Sequence, residues 1–279
     1  MGYRLYGYES THVGTGIYTR KLHSHIERIS EGVEQSRPPT ALKPVALNQI
    51  LLNRFSIPRG DEVLHLTNQD DLACVGFPSL DGLVVTVHDL FRLTEASRPL
   101  DGWRGPKIVE NLSEANAVIT ISEFTKQQIL KHTPMDEGDV HVVYQGVDQS
   151  VFYPDTGSGF EEFFLHVGSS LDRKNLEGLF DAFAHIRRRR PEAELVRVGG
   201  KDSTCRRKLE EYDLVQGRDV HFLEDVPLSE LRRLYTDAEA LLFPSKKEGF
   251  GRPMIEAAAC GTRPIAFNKK PMNEVLPNR

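Results

Sequence analysis

Short β-branched runs alternate with amphipathic stretches along nearly the whole chain. EVLHL (62–66), LVVTVHD (83–89), AVITI (117–121) and VHVVY (140–144) read as strands bounded by turn residues. Between them, GIYTRKLHSHIERI and SEFTKQQILKH carry the polarity and spacing of helices. The second half repeats the rhythm, with FFLHVG, ELVRVGG, DVHFLE, ALLFP and RPIAF as strands. Its best helix is NLEGLFDAFAHIRRRR, where Leu176, Leu179, Phe180, Phe183 and Ala184 share one face. The run Arg187–Arg190 closes that helix ahead of Pro191, where cations complement the helix dipole. This alternation predicts an α/β fold of parallel sheets covered on both faces, with ligands beyond the carboxyl ends of the strands. Periodicity is poor from about 31 to 60, and SRPPT (36–40) reads as an exposed loop.

The segment GVDQSVFYPDTGSGFEE (146–162) clusters Gly, Pro, Asp and Ser between two strands, and a boundary near 155 divides the chain into domains 1–154 and 155–279. Its 279 residues are enough for two such domains. A formal charge of −5 argues against a nucleic-acid partner. No apolar run reaches the length of a membrane span, and the N-terminus lacks a signal peptide's apolar core. Peripheral membrane contact stays open. Cys74, Cys205 and Cys260 are scattered, which fits a reducing cytoplasm better than a disulfide framework.

The chemistry concentrates in PSKKEGFGRPMIEAAACGTRPIAF (244–267). Pro253 suits the first position of a helix and Gly261 its end. The loop Gly249, Phe250, Gly251, Arg252 then offers backbone N–H groups to an anion at the helix start. Glu248 and Glu256 flank that cradle, and carboxylates accept hydrogen bonds from hydroxyls. A phosphate with hydroxyl-rich groups on both sides describes a nucleotide sugar, so Glu256, set among apolar residues, is expected to be partnered by ribose. A salt bridge to a core arginine is the competing reading. Arg173 and Lys174, after a strand and before a helix, suit a diphosphate leaving group. His88 and Asp89 end a strand, and Ser122 reads as a helix N-cap without chemistry. Gly14 and Gly16 form a bare G-x-G before a helix, and Gly199-Gly200 leaves room for a base or simply ends a strand. No D-x-D pair or metal-spaced His/Cys/Asp cluster occurs.

With these residues in view, the sequence resembles the retaining family-4 glycosyltransferases of the GT-B fold, whose signature is an E-x7-E pair in the second domain. The resemblance runs through TVHDL, ANAVITISEFTKQQIL, VVYQGVDQSVFYP, HVGSSLDRKNLEGLFDAF, VRVGG and the Glu248–Glu256 stretch, in that order. It implies two Rossmann-like doubly wound domains, with the acceptor held by the first, the donor by the second, and the cleft between them. It implies a metal-independent transfer of a sugar, with retention, from a UDP- or GDP-sugar to a carbohydrate or lipid-linked saccharide acceptor, and no further cofactor. By the same resemblance Glu256 binds ribose and Glu248 the transferred sugar. Arg173 and Lys174 stabilise the leaving diphosphate, His88 faces the sugar, and Gly14 and Gly16 approach the donor phosphates. Two departures stand out. YRLYGYES is a poor opening strand, and the chain stops at NEVLPNR, so the C-terminal part is expected to be shortened. A non-catalytic or truncated nucleotide-sugar-binding protein, and an epimerase or phosphorylase on the same scaffold, are the rival readings. Segments 36–40 and 91–105 are expected to be loops facing the acceptor.

Overall fold

The structure is a computed structural model that describes residues 3–7, 14–29, 33–36, 63–73, 80–94 and 101–276. Residues 37–40 of the expected acceptor loop, 95–100 of its companion and Cys74 lie outside them. The chain divides into two compact units, Met1–Tyr144 and Gln145–Arg279. The compact units divide ten residues before the sequence boundary near 155, because Phe152 is buried in the core of the second unit, edge-on to Tyr235, with Val147 and Val151 packed beside it. The second unit also holds Asp155, through Arg232 at 2.6 Å.

The described strands of the first unit are β1 (Tyr3–Tyr6), β2 (Val33–Ser36), β3 (Val63–Leu66), β4 (Leu83–Val87), β5 (Ala117–Thr120) and β6 (Val140–Val142). They form one parallel sheet in the order β2-β1-β3-β4-β5-β6. Its helices are α1 (Gly14–Ile29), α2 (Phe91–Thr94), α3 (Asp101–Leu112) and α4 (Glu123–His132). Residues 3–6, a poor strand by sequence, pair on both sides inside the sheet, with Leu5 and Tyr6 fully buried. Much of the expected 91–105 loop is helical: α2 and α3 pack so closely at Gly105 that a Cβ there would lie 2.8 Å from the Arg92 carbonyl oxygen. Ser122 caps α4 by accepting from the Thr125 amide, as its position in the sequence suggests.

The second unit holds β7 (Phe163–Val167), β8 (Glu194–Val198), β9 (Val220–Leu223), β10 (Ala240–Phe243) and β11 (Pro264–Ala266) in the parallel order β11-β10-β7-β8-β9. Its helices are α5 (Leu176–Arg187), α6 (Ser203–Glu211), α7 (Leu228–Asp237), α8 (Arg252–Ala259) and α9 (Met272–Val275). Alternation along the strands sorts them onto two faces. Phe163, Leu165, Val196, Leu241 and Phe243 meet α7 and α8, whereas Phe164, Leu195, Ala240 and Leu242 meet α5 and α6. The strand order changes direction between β7 and β10, and in sheets of this type ligands bind beyond the carboxyl ends of the strands at such a switch point. The loops leaving β7 and β10 carry the charged residues singled out by the sequence.

Candidate active site

The Lys174 loop and the Glu248 loop meet at that switch point. A 3₁₀ turn, Asp172–Lys174, is tied to the segment after β10 by the Lys246 amide donating to the Arg173 carbonyl (2.7 Å) and by Asn175 Nδ2 donating to the Pro244 carbonyl (3.0 Å). Asn175 itself takes a left-handed conformation and caps α5. With the two loops fixed, Lys174 Nζ donates to Glu248 Oε1 at 2.6 Å and Arg173 Nη1 to Glu248 Oε2 at 2.9 Å. Glu248 is buried, so its charge is matched by two cations at hydrogen-bond distance. Burial and the Arg173 charge lower the Lys174 pKa, while Glu248 opposes them. The ammonium also lies 5.4 Å from the centre of the Phe243 ring. Arg173, Lys174 and Glu248, read from sequence as binding different parts of a ligand, are thus first of all one ion cluster.

Glu256 resolves differently from its sequence expectation. It is buried on α8, but it has protein partners: Tyr235 Oη donates to its Oε2 at 3.0 Å, and Arg252 Nη2 lies 3.1 Å from its Oε1. The arginine is the i−4 neighbour, half-buried at the start of the helix, rather than a core residue. Burial raises the Glu256 pKa, while Arg252 and the Tyr235 hydroxyl pull it down. Arg252, rather than Pro253, is the first helical residue, and Gly251 is the N-cap at φ +98°. A side chain at Gly251 would be strained in that region and would meet Met254 Cε at 2.6 Å. Phe250 turns into the protein instead of standing open in the loop.

Three further residues at this edge were passed over in the sequence. His166 and Arg197 are register partners on β7 and β8, both buried, and the Ser170 hydroxyl accepts from Arg197 Nη2 at 3.0 Å. Burial, Arg197 and Lys174 hold the His166 imidazole neutral, with a pKa lowered to about 3. A cationic residue at an inward position of the apolar run ELVRV was the available signal.

In the first unit His88 follows β4. Its Nε2–H donates to the Thr67 carbonyl at 2.9 Å, and its amide to Gln69 Oε1 at 3.0 Å. The Tyr18 ring stands edge-on to it at 4.9 Å. Tyr18 shares Thr86 Oγ1 with His65, whose other ring nitrogen meets the Tyr3 hydroxyl. The His65 pKa falls to about 4 through burial and the nearby His88, so this chain of polar contacts is neutral. Below it, Arg92 clamps both oxygens of Asp70 at 2.6 Å and reaches Asp101 at 2.8 Å. Gly14 and Gly16 lie in the first turn of α1, not in a loop ahead of it. Among the described residues, no three His, Cys, Asp or Glu side chains gather as a metal site, and no helix is long and apolar enough to cross a membrane.

Two parallel sheets of this kind, the second with cations, carboxylates and a glycine-capped helix at its switch point, define a GT-B α/β protein. The chain belongs to the family-4 glycosyltransferases of that fold. Residues 156–279 match the family Glycosyl transferases group 1, and residues 45–151 match Glycosyltransferase Family 4. The chain is 32% identical over 270 residues to the O-antigen chain mannosyltransferase RfbU of Salmonella typhimurium, covering 94% of this chain and 72% of that protein. It spans only 56% and 55% of the length of two other curated relatives. Its fold is similar to a sucrose-phosphate synthase from Thermosynechococcus elongatus (TM-score 0.73, 19% identity, 95% of this chain and 81% of the other). It is similar also to Anabaena HepE in complex with UDP and glucose (TM-score 0.67, 17% identity, 95% and 80%).

Proposed function

We propose that the chain transfers a sugar from a nucleotide-sugar donor to an acceptor hydroxyl on a saccharide, with retention of anomeric configuration and without a metal ion. The observation that carries this is the ion cluster at the β7/β10 switch point, where Lys174 and Arg173 are held at 2.6 and 2.9 Å on one buried carboxylate. One carboxylate between two cations leaves a net positive charge for an anion. Lys174 has three donors and gives one to Glu248, so its remaining N–H groups suit a diphosphate. That is where negative charge grows as the bond from the anomeric carbon to the diphosphate breaks and the acceptor oxygen forms the new one. The acceptor's proton departs with the diphosphate, which balances the step. Each Glu248 oxygen keeps a lone pair for a sugar hydroxyl. Glu256, steadied by Tyr235 and Arg252, accepts from ribose. The mannosyltransferase name of RfbU and the UDP and glucose held by HepE support this reading. The site's residues fit a sugar nucleotide without any further cofactor.

The test is a thermal-shift screen against UDP, GDP, ADP and their sugars, followed by NMR of the product's anomeric proton. A ligand that binds only the folded state raises its stability. Stabilisation by one nucleotide family, with donor turnover and an unchanged anomeric configuration, is expected. Stabilisation without turnover on any saccharide acceptor would leave a binding protein, and inversion would remove the retaining mechanism.

A further inference from the structure

Arg197 is the least accommodated charge in the second unit. Its side chain is 0% exposed, and of its guanidinium only Nη2 has a partner, the Ser170 hydroxyl. Nε and Nη1 are buried without a hydrogen bond. No carboxylate of the described residues lies within ion-pair distance of it. Asp202, the nearest in sequence, spends its side chain capping α6 through the Cys205 amide. An arginine cannot shed its proton, and a buried guanidinium whose nearest carboxylates, Asp202 and Glu224, act only from beyond ion-pair distance is strongly unfavourable. A fold keeps such a group when an anion arrives from outside.

The surroundings say where that anion sits. Arg197 lies on β8 near its carboxyl end, beneath two loops, Gly168 to Ser170 and Gly199-Gly200. Gly199 has φ +140°, and a Cβ there would stand 2.6 Å from Arg197 Nη1 and 2.1 Å from the Gly168 carbonyl oxygen. Only a glycine lets the two loops close over the guanidinium this tightly. Ser170 ties the layers together, accepting from Arg197 and donating to the Gly200 carbonyl at 2.8 Å. Beside it, His166 Nδ1 is also buried without a partner, and the imidazole is kept uncharged. The Lys174 side chain borders the same place, 3.7 Å from where a Gly168 Cβ would lie. Carboxylates stand on either side of this place: Glu248 holds Arg173 and Lys174, and Glu224 Oε1 lies 3.7 Å from where a Gly200 Cβ would be. Neither is in ion-pair contact with Arg197, whose charge is met only from a distance, by Glu224 and Asp202.

We propose that Arg197 is the buried counter-cation for a diphosphate seated over the Gly168–Ser170 loop, which it stabilises through its charge from beneath the loop. This rests on the nucleotide-sugar reading of the same sheet edge and adds a residue that contributes to phosphate, not to base or ribose. Free pyrophosphate and a nucleoside diphosphate share the chemistry, and the test separates them.

Titration calorimetry would compare wild type with Arg197→Met, which keeps the volume and removes the charge. The probes are inorganic pyrophosphate, UDP with uridine, GDP with guanosine, and ADP with adenosine. In Arg197→Met, affinity for pyrophosphate and for the nucleoside diphosphate falls at least tenfold, while the matching nucleoside binds within twofold of wild type. Urea unfolding of the ligand-free variant shows stability equal to or above wild type, because an unpaired buried charge has gone. Arg197→Gln, which can still bond Ser170, carries the same expectations should the methionine variant fold poorly. Pyrophosphate affinity unchanged within twofold, or equal losses for nucleoside and diphosphate, would overturn the proposal. Wild type that binds pyrophosphate but none of UDP, GDP and ADP would instead refute the nucleotide-sugar reading, leaving the pyrophosphate comparison to judge Arg197.

Discussion

Replacing Glu256 tests the site most sharply, because the residue now has two roles that different substitutions separate. In the ligand-free protein its carboxylate is the acceptor for the fully buried Tyr235 hydroxyl at 3.0 Å. Glu256→Ala deletes that acceptor, and a buried donor left unsatisfied costs about 1–3 kcal/mol. Relief of the carboxylate's own desolvation offsets part of this. Glu256→Gln keeps the shape and an oxygen for Tyr235, so its folding loss should stay below about 1 kcal/mol, within the net value of one hydrogen bond. Binding behaves otherwise. If ribose hydroxyls donate to the charged oxygens, both variants lose about 1.5–3 kcal/mol of nucleotide affinity, roughly ten- to a hundredfold in dissociation constant.

Urea unfolding gives the first quantity and titration calorimetry the second, each for wild type, Glu256→Ala, Glu256→Gln and Tyr235→Phe. The ribose assignment is read from 2′,3′-dideoxynucleotide, which should bind wild type as weakly as the ordinary nucleotide binds Glu256→Gln. Tyr235→Phe keeps the ring against Phe152 and removes the donor. Because that hydrogen bond lowers the Glu256 pKa, its loss should move the acid limb of nucleotide binding to higher pH. Should Glu256→Ala unfold easily while Glu256→Gln keeps full affinity and full discrimination against the dideoxynucleotide, Glu256 is a structural partner of Tyr235 and ribose binds elsewhere.

Acid should destabilise the second unit through His166. Its folded pKa of about 3 lies below the ordinary 6.5, so the unfolded chain takes up the proton first and stability falls progressively from pH 6.5 towards 3. Between pH 7.5 and 5.5 this amounts to about 1.4 kcal/mol, which urea unfolding of His166→Gln should show as a correspondingly weaker pH dependence; an identical dependence would contradict the buried neutral imidazole. His88→Ala should lower turnover far more than affinity for the bare nucleotide, and equal losses would make His88 a scaffold residue of Thr67 and Gln69. Donor binding and turnover should survive EDTA, whereas loss on chelation with recovery in magnesium or manganese would take the leaving-group charge away from Arg173 and Lys174.

Elements with a clean period were legible from the sequence. FFLHV, ELVRV and ALLF became β7, β8 and β10, and the apolar face of α5 is the one that packs. Those that tertiary contacts dictate were not. VEQS has no apolar alternation, yet it pairs with β1 as an edge strand of the described sheet. In α3, Gly102, Gly105 and Pro106 hide a helix whose second glycine is needed for the close approach of α2. The same division holds in the site. Residue types announced Glu248, Glu256, Arg173 and Lys174, but not that Lys174 and Glu248, 74 positions apart, share a hydrogen bond. That pairing follows only once β7 and β10 are neighbours.

The pairing also changes what the glutamates mean. A lone carboxylate beside a phosphate cradle would repel the ligand, and the spacing of Glu248 and Glu256 by itself does not answer that objection. In the fold each carboxylate is compensated before any ligand arrives, Glu248 by Lys174 and Arg173, Glu256 by Arg252 and the Tyr235 hydroxyl. Each carboxylate keeps lone pairs beyond those its partners use, and the cations Lys174, Arg173 and Arg197 stand along β7, its following loop and β8. One edge of one sheet is left with a cationic stretch and, on the helix after β10, a hydroxyl acceptor. A molecule carrying both a diphosphate and a ribose satisfies both ends at once. Free phosphate satisfies only the first and a free sugar only the second. On the proposed reading the edge selects by linkage, and its affinity for a nucleoside diphosphate should exceed what either fragment achieves alone.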